Sequence, residues 1–474
     1  MSEKLRYDVV IGLEIHAELN TKTKIFCPCK NDPMAAANEN VCPVCLGFPG
    51  ALPSVSRASI EKTITAGLAF DCTINDYCMF ERKNYFYPDL PKAYQLSQLQ
   101  KPICLGGHVD LKSGKRIQLN RIHLEEDAGK LQHDEVNAET HVDLNRGGCA
   151  LIEMVTEADL NSAAEAVEFL EEVRSRLVFS DVAYCKMEEG GMRCDVNISL
   201  KPRGQKKLGN RAELKNINSF RSVGRAIEYE IKRQSALLND GKTVPVETRK
   251  WNDARCASSS MRSKERDVDY RYFPDPDQYG IRIEKKEVDA LRKVLPRLAH
   301  GYRAEFVEKL GLPAYDADVL TREKGVTEFF VESLKLFDFP KKLSNWTMTH
   351  VLARAKNWEI LIAPQQLVDL MKLVDDKKVT MQNALVVLDE IWGKTDANVV
   401  KVAEKLNVMG GVSTAELEKV INDLIAANPA AVADYPANPE KVMNFFMGQT
   451  MKATRGAADS VVVRKILASS LPKK

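Results

Sequence analysis

The sequence lacks a long hydrophobic run. No stretch of its 474 residues approaches the ~18 consecutive apolar residues that a membrane-spanning helix requires. The start, MSEKLRYDVV, has no apolar core of the kind found in a secretory signal peptide. The eleven cysteines are an odd number without disulfide-framework spacing, which favours a reducing compartment. We therefore expect a cytoplasmic protein with no membrane partner.

The sequence also lacks an excess of charge of either sign. Its 68 basic residues nearly balance its 66 acidic residues, so any surface that binds nucleic acid must be local. Hydrophobic residues make up 44% of the chain, which is enough for a large core. At about 150 residues per domain, the length suggests about three domains.

Glycine-rich phosphate-binding motifs are missing as well, since neither G-x-x-x-x-G-K-[ST] nor G-x-G-x-x-G occurs. If ATP binds this chain, it must bind through a metal ion and side chains. The candidate phosphate partners are Lys215, Arg249, Arg262, Lys264 and Arg271. Taken singly, each of these cations is more often a surface residue than a ligand.

The pattern of the sequence changes near residue 290. Before it, short β-branched stretches such as Tyr7 to Leu19 alternate with loops rich in Gly, Pro and Asn, which predicts strands. After it, apolar residues recur three and four apart, as in Val326 to Leu336, which predicts helices. A break at Gly410 and the capping-box spacing of Ser413 and Glu416 predict a helical tail. The expected fold class is α+β, with domains 1–290, 291–409 and 410–474.

Four cysteines form two close pairs, Cys27-Pro-Cys29 and Cys42-Pro-Val-Cys45. This spacing is typical of four thiolates around a tetrahedral zinc ion. Because four thiolates leave no open coordination position, a zinc held by the 27–45 insertion would be structural. The alternative is a set of unrelated buried thiols. The other cysteines are expected to be small core residues: Cys72, Cys78, Cys104, Cys149, Cys185, Cys194 and Cys256.

Polar side chains alternate with apolar ones along several predicted strands. Alternation places Glu14, His16 and Glu18 on one strand face. The same spacing pairs His123 with Glu125, and it aligns two further sets: Arg193, Asp195, Asn197 and Ser199, then Arg211, Glu213 and Lys215. Neighbouring carboxylates repel one another unless a hard cation such as Mg²⁺ lies between them. The alternative is the solvated outer face of an antiparallel sheet.

Aromatic rings and cations are concentrated between Phe80 and Gln98, in the sequence FERKNYFYPDLPKAYQLSQ. Pro88 and Pro91 restrict the backbone, so we expect a shaped loop rather than a helix or a core strand. The flat rings and the cations, Lys83 among them, suit a nucleotide, an RNA end or a phosphorylated intermediate. The alternative is a surface hairpin whose rings point inward.

The C-terminal segment is locally basic. Residues 441–474 carry seven Lys or Arg side chains and a single acidic one, Asp459. Structured RNA is the partner that this charge favours, and the alternative is a solvated helical face. The candidate tRNA-binding residues are Lys452, Arg455, Arg464 and Lys465.

Several longer motifs resemble those of the B-subunit family of tRNA-dependent Asp/Glu amidotransferases. They are VVIGLEIHAEL, the cysteine box with GFPGALP, RKNYFYPDLPKAYQLSQ, LEEDAGK, DLNRGGCALIEMVTEADL, MRCDVNIS, ELKNINSF, MRSKE and DYRYFP. Departures from the family pattern, such as Ala93 in place of a usual glycine, alter loops without removing a charged group.

The resemblance implies a fold and a site. The fold is an antiparallel β-sheet cradle similar to glutamine synthetase, followed by a helical domain and a small tail domain that binds tRNA. The site holds ATP and Mg²⁺, and the matching positions are Glu14, His16, Glu125, Asp195 and Glu213. His16 is an unusual ligand for magnesium, which prefers oxygen, so it is expected to orient a carboxylate or a water. Lys83 is the candidate to guide ammonia or the tRNA 3′ end.

The resemblance also implies a reaction and partners. ATP with Mg²⁺ phosphorylates the side-chain carboxylate of misacylated Glu-tRNA(Gln) or Asp-tRNA(Asn), and ammonia then displaces the phosphate. No Cys or Ser here has a recognisable glutaminase context, so the ammonia must come from a partner. By resemblance, this partner is an amidase-type A subunit, with a small C subunit that contacts both chains.

Two other classes of function remain open at this point. The chain could be a zinc-stabilised tRNA-binding subunit without catalysis, or a free-standing ligase similar to glutamine synthetase that acts on a small amino acid. ATP hydrolysis that depends strictly on misacylated tRNA would reject both. The sequence does not distinguish Glu-tRNA(Gln) from Asp-tRNA(Asn) as the cellular substrate.

Overall fold

A computed structural model describes residues 6–134, 136–263, 270–409, 414–454, 458 and 460–471, with the backbone alone at positions 262, 263 and 414. The chain divides into two compact units, residues 1–299 and 300–474. In the described part of the chain, no helix combines the length and the apolar character needed to cross a bilayer.

The strands lie in the first unit. In chain order they are β1 (Tyr7–Glu18), β2 (Thr73–Ile74), β3 (Tyr77–Cys78), β4 (Glu81–Asn84), β5 (Tyr94–Ser97), β6 (Cys104–Leu105), β7 (His108–Asp110), β8 (Arg116–Glu126), β9 (Lys130–Asp134), β10 (Glu139–Asp143), β11 (Ala150–Thr156), β12 (Met192–Pro202), β13 (Ala212–Lys215), β14 (Glu247–Asn252), β15 (Ala257–Ser263), β16 (Phe273–Pro274) and β17 (Ile281–Arg282).

The helices are distributed over both units. They are α1 (Arg57–Ala69), α2 (Ala163–Phe179), α3 (Phe220–Asn239), α4 (Lys285–Val294), α5 (Ala299–Glu308), α6 (Ala314–Leu320), α7 (Lys324–Leu336), α8 (Pro340–Trp346), α9 (Pro364–Asp375), α10 (Met381–Ile391), α11 (Val399–Lys405), α12 (Thr414–Ala427), α13 (Pro429–Asp434), α14 (Pro439–Ala453) and α15 (Ser460–Ser470). Short 3₁₀ turns lie at Met187–Glu189 and Lys356–Trp358, and a π turn lies at Thr347–Val351.

The main sheet has the strand order β15-β14-β13-β12-β1-β11-β8-β6-β2, and β7 pairs with β8. The sheet is mixed, whereas the sequence predicted an antiparallel one. Strands β13 and β14 run parallel because helix α3 lies between them in the chain, and parallel neighbours need a crossover of this kind. The expected α+β class is confirmed, and the finer description as a cradle remains a proposal.

Strand β1 alternates as its sequence predicts. Leu13, Ile15 and Ala17 are buried, while Glu14, His16 and Glu18 are only half-buried. The buried side chains belong to one hydrophobic core with residues of α1, α2 and α3. Ser162 and Ser219 start α2 and α3 by accepting a hydrogen bond from a backbone amide of the first turn. These helices cover one face of the sheet, and the opposite face carries the polar groups.

The second unit is helical in its described residues, as the sequence predicted. The periodic stretch Val326 to Leu336 forms most of α7. One cluster of buried side chains extends from Phe306 to Ala403, and a separate one extends from Leu417 to Leu471. The cap predicted at Ser413 lies outside the described residues. The division into domains at 290 and 409 stays a prediction.

Candidate functional site

Strand register brings three polar side chains into one row across the sheet. In β11, Glu153 pairs with His16 of β1 on one side and with His123 of β8 on the other. Glu14 lies two residues from His16 on β1, and Glu125 lies two residues from His123 on β8, so both point to the same face as the row. We call this group the carboxylate cluster: Glu14, His16, His123, Glu125 and Glu153.

The side chains of the carboxylate cluster lie within a few ångströms of one another. His16 Nε2 is 3.4 Å from Glu153 Oε2, 3.7 Å from Glu125 Oε1 and 3.8 Å from Glu14 Oε1. His123 Nε2 is 3.5 Å from Glu153 Oε2 and 3.6 Å from Glu125 Oε2. Two overlapping sets have ligand atoms within 4.8 Å of one another, namely Glu14, His16 and Glu153, and His123, Glu125 and Glu153. The cluster is therefore dense enough to hold a metal ion.

Burial and charge shift the proton affinities in the cluster. Burial raises the pKa of Glu14, and Glu153 raises it further. Burial alone would lower the pKa of His16, but the hydrogen bond to Glu153 and the nearby carboxylates raise it to about 9. Burial opposes ionisation of Glu153, yet His123 and His16 hold its pKa well below the usual range. Protons bound to the cluster therefore balance the negative charge that a metal cation would otherwise balance.

Glu153 was not among the residues predicted from the sequence. A signal for it was present, because it is the one charged side chain in the otherwise apolar and hydroxyl-bearing strand sequence ALIEMVT. A carboxylate in such a run is costly unless it has a partner. His123 had been recognised as aligned with Glu125, but not as a site residue.

Two predicted magnesium ligands lie beside a lysine instead. Asp195 pairs with Glu14 in the register of β12 and β1, and its Oδ2 is 2.5 Å from Lys215 Nζ. Glu213 Oε1 is 3.0 Å from the same ammonium. Burial would lower the pKa of Lys215, but these carboxylates hold it above its usual range. Asp195 and Glu213 thus flank the cluster, and Lys215 neutralises much of their charge.

The remaining predicted phosphate partners are placed differently. Thr248 donates to Glu213 Oε2 at 3.0 Å, so it faces the site, and the adjacent Arg249 faces the opposite side. Arg249 is buried there, 2.6 Å from Glu247 Oε1 and hydrogen-bonded to Ser258. The structure therefore does not bring Arg249 to the cluster.

The side chain of Arg262 and all of Lys264 lie outside the described residues. Arg271 is exposed, and its carbonyl accepts a hydrogen bond from Asn84 Nδ2 at 2.8 Å. Phosphate binding by these three cations stays a prediction.

The aromatic segment contains the expected loop, residues 85–93, and the strands that flank it form a hairpin. Strands β4 and β5 pair antiparallel, and β16 pairs with β4 on the other side. Phe86 and Tyr87 lie exposed in the turn, so its rings are not tucked inward. Ala93 has φ +64°, in the left-handed region that favours glycine, which explains why a glycine is usual at this position.

Lys83 on β4 is electrostatically coupled to the cluster. Its Nζ is 5.0 Å from the centre of the Tyr270 ring. Burial would lower the pKa of Lys83, but Glu125, Tyr272 and Glu153 raise it above its usual range. The hairpin therefore supplies a half-buried cation to the polar face of the main sheet.

The four predicted zinc ligands lie together and are free thiols. Cys45 Sγ is 3.4 Å from Cys27 Sγ, 3.6 Å from Cys42 Sγ and 3.7 Å from Cys29 Sγ. A tetrahedron with Zn–S bonds of about 2.3 Å has sulfurs about 3.8 Å apart. A hydrogen bond from Cys27 helps lower the pKa of Cys45 to about 4. The residues present therefore fit a zinc ion.

The other cysteines match their prediction with one exception. Six are buried, but Cys256 is exposed. It follows β14 in a tight turn with φ +46°, where its thiol cannot reach the core.

The predicted tRNA-binding residues that the structure describes are exposed. Lys452 lies on α14, and Arg464 and Lys465 lie on α15. On α15, Val463, Ile466 and Leu467 are buried, so the cations lie on the opposite face of an amphipathic helix. Arg455 lies outside the described residues.

Known protein families cover most of the chain. A family described as the GatB/GatE catalytic domain matches residues 9–289, and one described as the GatB domain matches residues 328–471. The B subunit of the aspartyl/glutamyl-tRNA(Asn/Gln) amidotransferase of Thermoanaerobacter pseudethanolicus is 43% identical over 478 residues, which cover 99% of this chain and 100% of the relative. The protein of the same name from Caldicellulosiruptor bescii is 44% identical over 480 residues, with 99% and 100% covered. These matches span both units, so the chain belongs to the B-subunit family of aspartyl/glutamyl-tRNA(Asn/Gln) amidotransferases.

Proposed function

We propose that this chain is the amide-forming subunit of a tRNA-dependent amidotransferase. It converts misacylated Glu-tRNA(Gln), Asp-tRNA(Asn) or both into Gln-tRNA(Gln) and Asn-tRNA(Asn) at the expense of ATP. The observation that carries this proposal is the carboxylate cluster, in a chain 43% identical to an amidotransferase B subunit over nearly its whole length. Phosphorylation of a carboxylate needs a hard divalent cation, and grouped carboxylates are what such a cation prefers.

The oxygens of Glu14, Glu125 and Glu153 are the proposed ligands of Mg²⁺. Bound there, the ion would offset the negative charge of the phosphoryl group in transfer. His16 and His123 each lie within 4 Å of two or more of these carboxylates, so they hold the ligands in orientation. Lys215, beside Asp195 and Glu213, is the proposed partner of a phosphate oxygen.

The substrate carboxylate becomes a good electrophile only as an acyl phosphate. Ammonia then attacks the carbonyl carbon, the C–O bond to phosphate breaks, and the amide forms. Lys83 is proposed to guide ammonia or the tRNA 3′ end, since its ammonium is half-buried, lies over the Tyr270 ring and interacts with Glu125 and Glu153. The cations of the tail are proposed to bind tRNA.

The cysteine group is proposed to hold a structural zinc ion. With four thiolates committed, no ligand position is left for a substrate. Its place in the chain, ahead of α1, supports a role in shaping the loop of residues 27–45. Replacement of one of these cysteines should therefore lower the stability of the fold more than it changes the reaction.

The nitrogen source and the assembly are also part of the proposal. An amidase-type A subunit would release ammonia from glutamine, and a small C subunit would contact both chains. The complex would work in the cytoplasm. The finer architecture that we propose is a cradle resembling glutamine synthetase at 1–290, a helical domain at 291–409 and a tail at 410–474.

The first test measures phosphate release from ATP by the assembled complex, with and without misacylated tRNA. We expect release only with misacylated tRNA, and its loss in Glu14→Gln and Glu125→Gln variants that keep the fold. Glu139→Gln is the matched control and should behave as the wild type, because Glu139 is exposed on β10, in the two-stranded sheet β9-β10. Normal release in both cluster variants would overturn the proposed site.

The nitrogen source gives a second measurement. The isolated chain should amidate tRNA only at high ammonium concentration, and glutamine should become effective when the A and C partners are added. Phosphate release without tRNA, on a free amino acid, would favour the alternative of a small-molecule ligase. Tight tRNA binding with no phosphate release under any condition would favour the non-catalytic alternative.

A further inference from the structure

Lys24 is a fully buried cation beside the cysteine group. Its relative exposure is 0%, although lysine is rarely buried without a charged partner. Its Nζ donates to the carbonyl oxygen of Leu144 at 2.9 Å and lies 3.7 Å from Cys45 Sγ. Among the residues that the structure describes, no Asp or Glu forms an ion pair with it.

A buried ammonium needs a negative charge nearby. The Leu144 carbonyl satisfies one N–H group, but it is neutral and leaves the charge uncompensated. Isolated ions in a protein interior are strongly unfavourable unless an opposite charge lies close. Of the two polar partners of Lys24, only the sulfur of Cys45 can carry that charge, as a thiolate.

The backbone holds Lys24 in this position. Thr23 and Lys30 form a β-bridge, and the Lys24 amide donates to the Cys29 carbonyl at 2.9 Å. Lys24 therefore belongs to the same tight turn as Cys27 and Cys29. Its side chain extends from this turn to the segment after β10, where Leu144 lies.

We propose that Lys24 is a positioning residue of the zinc centre, whose ammonium supplies the counter-charge of the metal thiolates. This inference rests on the proposed zinc site. Four thiolates and one Zn²⁺ carry a net charge of −2, and one adjacent ammonium halves it. The N–H···S contact also draws electron density from the Cys45 sulfur. The counter-charge favours retention of the metal, and the N–H···S contact slows the reaction of Cys45 with electrophiles.

The experiment compares zinc release from the full-length chain and its variants. Lys24→Met keeps the apolar stem and removes the charge, while Lys24→Gln also keeps a donor for Leu144. Lys22→Met is the matched control, because Lys22 is exposed two residues away. Zinc content is measured by elemental analysis, and release is followed with a coloured chelator.

Loss of an outer partner of a metal ligand usually lowers metal affinity about 10- to 100-fold, so we expect both Lys24 variants to release zinc faster than the wild type by about that factor. Iodoacetamide should also label Cys45 faster in them. Lys22→Met should match the wild type in both assays. A role of Lys24 in packing alone would leave zinc release by Lys24→Met unchanged, and that result would overturn the inference.

A further comparison applies if Lys24→Met by itself does not fold. In a Cys45→Ala chain, the Lys24 ammonium loses the sulfur that it contacts, so adding Lys24→Met should raise the thermal midpoint rather than lower it. A lower midpoint would contradict the proposal. A wild-type chain purified under reducing conditions without zinc would overturn the zinc site and the inference together. Zinc present with unchanged release would overturn the inference alone.

Discussion

At the scale of residues, Glu153 connects the two halves of the carboxylate cluster. Its Oε2 is 3.4 Å from His16 Nε2 and 3.5 Å from His123 Nε2. Among the carboxylates that raise the pKa of His16 to about 9, Glu153 has the largest effect, through its hydrogen bond. Without a bound cation, the charge of Glu153 is therefore balanced by protonated imidazole.

This coupling predicts how the metal-free chain responds to pH. The folded-state pKa of His16, about 9, lies above the ordinary value of about 6.5. Protonated His16 therefore stabilises the fold below about pH 6.5, and this contribution is lost as the pH rises through about 9. Denaturant titrations in EDTA should show a falling free energy of unfolding across this range.

Glu153→Gln should flatten that dependence, since it removes the main partner of His16. It should also weaken Mg²⁺ binding about tenfold or more, because even the loss of an outer partner of a metal ligand has an effect of that size. The magnesium effect is measured by calorimetry. Glu139→Gln, at an exposed position of the two-stranded sheet β9-β10, should change neither the pH dependence nor the Mg²⁺ affinity. A wild-type pH dependence in Glu153→Gln would show that the Glu153–His16 coupling is absent.

At the scale of elements, the small sheet β5-β4-β16 joins the aromatic hairpin to the segment that follows residue 270. Arg82 holds this junction, because its Nε is 2.7 Å from Asp275 Oδ1 and its Nη2 is 2.6 Å from Asp277 Oδ2. The guanidinium also lies 4.1 Å from the centre of the Tyr94 ring. The neighbouring Lys83 is carried on the same strand, so its position depends on this junction.

Arg82→Met should release β16 from the hairpin. Asp275 is buried, and removing one partner of such a pair costs about 3 kcal/mol. Hydrogen exchange of residues 270–277 should become faster, and the KM for tRNA or ATP should rise in the assembled complex. The control is Arg116→Met, which breaks an exposed ion pair with Asp110 and should cost less than about 1 kcal/mol. Unchanged exchange in Arg82→Met would show that β16 is held by other contacts.

At the scale of the whole molecule, charge is distributed unevenly. The chain is nearly neutral, yet residues 441–474 are basic, and the described cations of α14 and α15 are exposed. The side chains from Leu417 to Leu471 also form a hydrophobic cluster separate from the one before residue 409. A segment with its own core and its own charge is a natural place for contacts with an RNA backbone.

Deletion of residues 410–474 should therefore weaken tRNA binding and make it less sensitive to salt. Loss of four phosphate contacts would reduce the slope of log affinity against log salt by about 3. The slope is measured by filter binding between low and physiological salt, and activity on a short acceptor substrate with free ammonium should survive. Reversing charge at Lys335 on α7, outside the tail, is the control. An unchanged slope in the deletion variant would show that the RNA contact lies outside residues 410–474.

Much of the site could be predicted from the sequence. There is a physical reason why the rest could not. Alternation with a period of two placed Glu14, His16 and Glu125 on the correct strand faces, because it is a local property of each strand. Asp195 and Glu213 were predicted as metal ligands, but the structure pairs both with Lys215. Arg249 could not be placed, because its face depends on which neighbour β14 pairs with and in which register.

The sequence by itself determined the alternation of β1, the helical periodicity after residue 290 and the spacing of the cysteine pairs, since each is a short-range property of the chain. The family motifs also lie within single segments. Only the tertiary structure decided that β11 lies between β1 and β8, which places Glu153 between His16 and His123. Strand order depends on long-range pairing, which no local pattern encodes. For the same reason, only the fold revealed that Lys24 is buried beside Cys45.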